Sequence, residues 1–321
     1  MAVAGLVLSL AASLYQIGQQ ASAFNGMIRV DGFSIFLNNL FALSGIVAIG
    51  LGYDYLKRVG ISEGEYYVLL LFSISGMMLM GSAGDLIIVF LSLELLSIPL
   101  YVLAGIDHKR DASREASLKY FLLGTMASAF VLFGIAFVYG AAGTTSLYGI
   151  TEAVSQGKVQ QFLLICGSAL LLAGFGFKVA AVPFHSWTPD VYHGSPSSVT
   201  AFMSVGAKAA GFAALIRVFS LNFTAIAIEL TPLFWVLSAL TMIVGNVVAV
   251  AQTNLKRMLA YSSIAHAGYI LMAFVGFGDA AVRQNSIASA LFYLAAYALT
   301  SLGAWSVLVA VEQQDGSGNE I

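Results

Sequence analysis

Charge is what this chain has least of. Of its 321 residues 9% are Asp, Glu, Lys or Arg and 59% are hydrophobic. Soluble domains carry about 25% charged residues. That shortage excludes a soluble core and points to a polytopic membrane protein. The formal net charge of −2 supplies no basic surface, so nucleic acid is not an expected partner. Cysteine occurs once, as Cys166 inside an apolar run. This excludes an intramolecular disulfide and a cysteine-ligated zinc or iron–sulfur site. The opening "MAVAGLVLSLAASLYQ" has no basic residue. It therefore reads as a spanning helix rather than a signal peptide. No strand pattern competes with helices anywhere in the chain.

What is present is a series of apolar windows of about 20 residues, each long enough to cross a bilayer. They fall near 1–17, 33–53, 65–82, 84–106, 116–141, 159–182, 197–221, 232–252, 256–278 and 285–311. The first is the shortest. The longest connection is 141–158, and the tail "EQQDGSGNEI" is polar and glycine-rich. Lys57, Arg58, Lys109, Arg110, Arg114, Lys119, Lys256 and Arg257 fall at one set of helix ends; Arg29, Lys158, Arg217 and Arg283 fall at the other. This bias places the first group in the cytoplasm, so the first helix starts there.

Four ionisable residues remain deep inside spans: Glu94, Lys178, Lys208 and His266. A charge at the bilayer centre costs about 2.5–3.5 kcal/mol on insertion scales, so such residues face protein or water and are functional candidates. Burial disfavours the charged form of a group and an opposite charge favours it. A glutamate that approaches or retreats can therefore switch a lysine between protonated and neutral, which makes a proton-loading site. No nucleophile–base–orienter set accompanies them, so hydrolysis is not expected. The plainer readings are a structural Glu94–Lys178 ion pair, a snorkelling Lys208, and His266 and His185 as packing or capping residues. His108 and His193 read as loop residues. Haem ligation has no support in the histidine spacing.

Proline removes a backbone hydrogen bond. At membrane depth the freed carbonyls must meet protein or water, and transporters place ion sites at such breaks. In "GFGFKVAAVPFHSWTPD", Pro183 follows Lys178 by five residues, with His185 beyond. A helix broken near 178–189 is expected, with the carbonyls near Val179 and Ala180 as proton and water partners. Pro99, five residues after Glu94, suggests a second kink.

Three stretches, "SLELLSIPLYVLAG", "GFKVAAVPFHSWTPDVYHGSPSSVTAFMSVGAKAAGF" and "TNLKRMLAYSSIAHAGYILMA", resemble the antiporter-like membrane subunits of respiratory complex I. They are also similar to subunits of multisubunit cation/proton antiporters. The wording "WTPDVYHGSP" is most like the N-subunit (subunit 2) branch of NADH:quinone oxidoreductase. The resemblance covers essentially the whole chain.

It implies an all-α polytopic membrane protein of about fourteen helices with two inverted five-helix repeats. Residues 1–64 would hold N-terminal helices, 65–221 the first repeat with a proton half-channel, 232–311 a partial second repeat and 312–321 a polar tail. Glu94 would match the glutamate paired with the broken-helix lysine, Lys178. Lys208 would pass protons on, and His266 would match the polar residue of the second repeat. A second broken helix with its basic residue, and the first helix of the family, would be lacking. Such a chain would not complete translocation by the family's route alone.

The implied function is proton translocation coupled to quinone reduction. No cofactor is expected on this chain; NADH, flavin, iron–sulfur clusters and quinone would sit on partners. Those partners would be other antiporter-like and small membrane subunits and the peripheral redox arm. The implied place is an energy-coupling membrane: a bacterial plasma membrane, or an organellar inner or thylakoid membrane. A subunit of a cation/proton antiporter is the alternative, and a structural scaffold is a third reading.

Overall fold

The computed structural model describes residues 1–61, 63–220, 223 and 227–315. The chain begins with α1 (Ala2–Tyr15), then a hairpin of β1 (Ala21–Ala23) and β2 (Ile28–Val30), paired antiparallel. Helices α2 (Gly32–Val59), α3 (Glu63–Gly81), α4 (Leu86–Ala104) and α5 (Asp111–Ala142) follow. The short α6 (Leu147–Ser155) precedes α7 (Gln161–Val179) and the eight-residue α8 (Trp187–Gly194). One continuous helical span then runs from Ser197 to Ser220. Within it α9 (Ser197–Phe202) and α10 (Lys208–Leu215) are separated and followed by π-helical segments, Met203–Ala207 and Ile216–Ser220. The chain closes with α11 (Ala227–Val250), α12 (Leu255–Val275) and α13 (Arg283–Asp315).

Among the described residues, nine helical spans are long and apolar enough to cross a membrane. The chain is an integral membrane protein. The expected tenth window, 1–17, forms the 14-residue α1. At 1.5 Å per residue that helix is about 21 Å long, short of a hydrocarbon core of about 30 Å. The hairpin is also a departure from the all-helical expectation; its strands are too short to leave a periodic signal. The long connection at 141–158 folds part of its length into α6, capped by the Ser146 side chain. Helix α13 continues through Asp315, while residues 316–321 lie outside the described residues.

Small residues let the helices approach closely, as packing in lipid requires. On α5 and α7, a Cβ added to Gly134 would lie 2.9 Å from the Gly167 carbonyl oxygen, and the reverse contact is also 2.9 Å. The Ser197–Ser220 span is the centre of the molecule: every one of its residues is buried. Its stretch Gly206–Leu215 is built of Gly, Ala, Lys, Phe and Leu, so neighbouring backbones close around it. Single π turns inside α-helices recur at functional sites because they re-aim side chains. Here one ends at Ala207, directly before Lys208.

Candidate functional site

Helix α7 ends at Val179 because Ala180 adopts the left-handed conformation (φ 61°), which costs a non-glycine residue about 1–2 kcal/mol. The amides of Ala180 and Ala181 cap the carbonyls of Phe177 and Gly176 at 3.0 and 2.8 Å. The Trp187 indole N–H adds a bond to the Phe177 carbonyl at 2.9 Å. Pro183 has no N–H to offer the Val179 carbonyl, so the α-helical ladder cannot continue across it. The break holds to the second half of the molecule through the Val182 amide, which donates to Thr241 of α11 at 3.0 Å. Pro99, by contrast, leaves α4 continuous.

Lys178 projects from the last turn of α7 and is 4% exposed. Its ammonium donates to the Ser97 hydroxyl at 2.7 Å and the Tyr120 hydroxyl at 3.2 Å. It also lies 5.3 Å from the centre of the Tyr120 ring and 5.8 Å from that of Tyr101. The expected contact with Glu94 is not made. Glu94 is half-buried, its Oε1 has no hydrogen-bond partner, and it acts on Lys178 and Tyr101 only through its charge. Ser97, one turn further along α4, occupies the position expected of the carboxylate. The carbonyls expected to meet Lys178 are likewise replaced by hydroxyls.

Lys208 is 2% exposed, and its ammonium donates to both the hydroxyl and the carbonyl oxygen of Ser263 on α12. The Tyr297 hydroxyl of α13 donates to Ser263 Oγ at 2.8 Å and to the Ser204 carbonyl at 3.2 Å. One turn beyond Ser263, His266 Nδ1 lies 2.7 Å from the Tyr293 hydroxyl, and its ring centre is 5.0 Å from that of Tyr297. The structure therefore brings Lys208 and His266 together around Ser263 and Tyr297. Tyr293 also lines a cleft of about 390 Å³ between α12 and α13, with Asn285, Ser286 and Ser289. Helices α7 and α10 pack closely: a Cβ on Gly211, three residues after Lys208, would lie 3.3 Å from Lys178 Cβ.

His185 is half-buried, its Nδ1 lacks a partner, and none of the contacts to Lys178 involves it. Pro183 and Ser186 face outward.

Sequence reading misses three charge sets. Lys256 and Arg217, counted as flanking charges, are 1% and 2% exposed. Lys256 pairs with Glu312 at 3.3 Å, and Ser197 donates to the same carboxylate at 2.8 Å. Arg217 pairs with Asp31 at 2.6 Å. Asp190 of α8 binds both Lys119 of α5 and Arg257 of α12, each at 2.8 Å, beside a cavity of about 200 Å³. Burial alone would raise the Asp190 carboxyl, but the bonds and charges of Lys119 and Arg257 outweigh it and hold the group below its ordinary value. Its contribution is thus present above the unfolded carboxylate range and lost as pH falls through the folded value. Asp190→Asn is expected to cost about 1 kcal/mol, typical of partly exposed pairs. Thermal unfolding in detergent at neutral and acidic pH checks this: the gap from wild type should narrow in acid, and a gap that widens contradicts the clamp.

The family model described as NADH:quinone oxidoreductase/Mrp antiporter, TM, matches residues 83–321. NADH-quinone oxidoreductase subunit N 2 of Roseiflexus castenholzii is 46% identical over 320 residues, covering 98% of this chain and 64% of that protein. A chain of respiratory complex I from Thermus thermophilus, solved with bound aureothin, is 40% identical with a TM-score of 0.76, covering 98% of this chain and 64% of that one. A chain of the Mrp complex from Dietzia has the same fold, with a TM-score of 0.84 at 22% identity and coverage of 97% and 59%. The chain therefore spans less than two thirds of the length of these proteins. By the match of its greater part to this model and by identity along nearly its whole length, it belongs to the NADH:quinone oxidoreductase/Mrp antiporter transmembrane family.

Proposed function

We propose that the chain is a proton-translocating membrane subunit of an NADH (or related donor):quinone oxidoreductase. The observation that carries this reading is the pair of lysines, Lys178 and Lys208, each buried in the spanning region and held by hydroxyl groups without a carboxylate in contact. Hydroxyls both accept and donate, so they can pass a proton on, whereas a contacting carboxylate would lock the ammonium. Quinone reduction elsewhere in the complex perturbs Glu94, whose charge acts on Lys178 from outside contact. A proton then leaves Lys178 for Lys208 and moves toward His266.

In this reading residues 65–221 form the first half-channel and 232–311 part of the second repeat. The redox groups — NADH, flavin, iron–sulfur clusters and quinone — sit on the peripheral arm and neighbouring subunits. The membrane in this reading is a bacterial plasma membrane. The 46% identity to subunit N favours this over a cation/proton antiporter subunit, for which the likeness is one of fold at 22%.

The test is purification of the full protein with its partners from native membranes. Redox subunits should co-purify, and donor:quinone turnover in sealed vesicles should move protons. Cation/proton exchange without a redox arm would overturn the assignment. In the same vesicles Lys208→Met is expected to lower proton transfer about tenfold, less than the ~10²-fold of a lost proton-transfer group because water offers a bypass. Normal proton flux in that variant would make Lys208 a packing residue.

A further inference from the structure

One side chain outside the proton route touches both sides of the Lys178–Tyr120 contact. Trp187 opens α8 and is 3% exposed. Its indole lies flat on the Tyr120 ring of α5, with ring centres 4.7 Å apart and planes within 6°. Its N–H donates to the Phe177 carbonyl at 2.9 Å, and it also stacks on the Phe177 ring at 5.1 Å. Phe177 immediately precedes Lys178. Tyr101 meets Tyr120 edge-on at 4.7 Å. The phenol that accepts from the Lys178 ammonium is thus gripped by one indole face and one phenol edge. A second contact fixes where Trp187 sits. Asp190, one turn further along α8, pairs at 2.8 Å with Lys119, the residue before Tyr120, and at 2.8 Å with Arg257 of α12. Two neighbouring residues of α5 are therefore held by two residues of α8 one turn apart, which sets the register of α8 on α5.

We propose that Trp187 is a positioning residue for proton transfer at Lys178, keeping the Tyr120 hydroxyl within reach of the ammonium by stacking on Tyr120 while holding the end of α7. This rests on the Lys178 reading above. The indole takes no part in the transfer itself: it only donates, and its N–H is spent on the Phe177 carbonyl. Its effect is one of placement. The Lys178–Tyr120 bond is 3.2 Å long, at the upper end of the range of about 2.7–3.2 Å for N–H···O bonds, so a small slip of the ring breaks it. The other acceptor, Ser97, belongs to α4 and remains when the ring slips, so the loss is partial.

The test reads proton uptake during donor:quinone turnover by the assembled complex in sealed vesicles. It compares Trp187→Met, Trp187→Phe, Tyr120→Phe, the double variant Trp187→Met with Tyr120→Phe, and Lys178→Met. Trp187→Met is expected to assemble and to lower uptake about threefold or more, since a misplacement of about 1 Å can cost far more than that. Trp187→Phe keeps an aromatic face on Tyr120 and is expected to retain most of the uptake. Tyr120→Phe is expected to lose as much as Trp187→Met, and the double variant to lose no more than Tyr120→Phe alone, because Trp187 acts through that hydroxyl. Losses that multiply in the double variant assign Trp187 a general packing role and overturn the proposal, as does a Trp187→Met complex that fails to assemble. A Trp187→Phe loss as large as that of Trp187→Met places the effect in the indole N–H and overturns the stacking. Wild-type uptake in Trp187→Met or Tyr120→Phe, with Lys178→Met impaired, overturns the positioning role while the lysine route stands. Wild-type uptake in Lys178→Met removes the route itself.

Discussion

Lys178→Met is expected to lower redox-driven proton transfer by about 10²-fold or more while the protein still assembles. Methionine fills nearly the same apolar volume, so packing against Gly211 survives. What disappears is the only group that can hold a proton between Ser97 and Tyr120. The two hydroxyls left behind can bond to each other or to water, which limits the structural cost. Proton uptake by sealed vesicles during donor:quinone turnover measures the effect, with gel-filtration of the complex as the assembly control. Wild-type pumping by an assembled Lys178→Met complex would sink the proposed route. Glu94→Gln should lower the same rate by less, because Glu94 acts on Lys178 through its field rather than by contact.

The largest loss of stability is expected from Asp31→Ala. Asp31 caps α2 by accepting the Ser34 amide at 2.8 Å, and its carboxylate takes two bonds from Arg217 at 2.6 and 3.1 Å. Arg217 also donates to the Gly81 carbonyl at the end of α3 and lies 4.6 Å from the Phe33 ring centre. One charge pair thus ties the ends of three helices. Removing Asp31 takes a countercharge from a buried guanidinium, which costs about 3–5 kcal/mol. Detergent thermal unfolding should show the loss, and the double variant Asp31→Leu with Arg217→Met should regain much of it because the buried charge is removed with its partner. An Asp31→Ala midpoint equal to wild type would show the pair to be ornamental. The pH dependence has a fixed sign. Burial would raise the Asp31 carboxyl, but the bonds and charge of Arg217 and the Ser34 donor outweigh it and keep the group below its ordinary value. The contribution is therefore full above the unfolded carboxylate range and fades as pH falls through the folded value.

Hydropathy and spacing were enough to locate the spans and the suspect side chains. Apolar windows locate helices in lipid because backbone groups there have no other partner. A lysine in the middle of such a window is conspicuous for the same reason, which is how Lys178, Lys208, Glu94 and His266 were found. A proline just past Lys178 marked the break, and the helix does end there, at Val179. Hydropathy registers composition over about 20 residues, so it could not show that α1 stops at Tyr15.

Which groups touch follows from how the helices pack. Spacing along the chain placed Glu94 opposite Lys178, but the rotation of α4 turned Ser97 inward instead. Nothing local could pair Lys208 with Ser263, 55 positions away, or Arg217 with Asp31, 186 away. Arg217 and Lys256 lie near helix ends, so the sequence reads them as solvated; the packing of neighbouring helices buries them. Side-chain partners across a bundle depend on helix rotation and crossing, and those follow from packing all the faces at once.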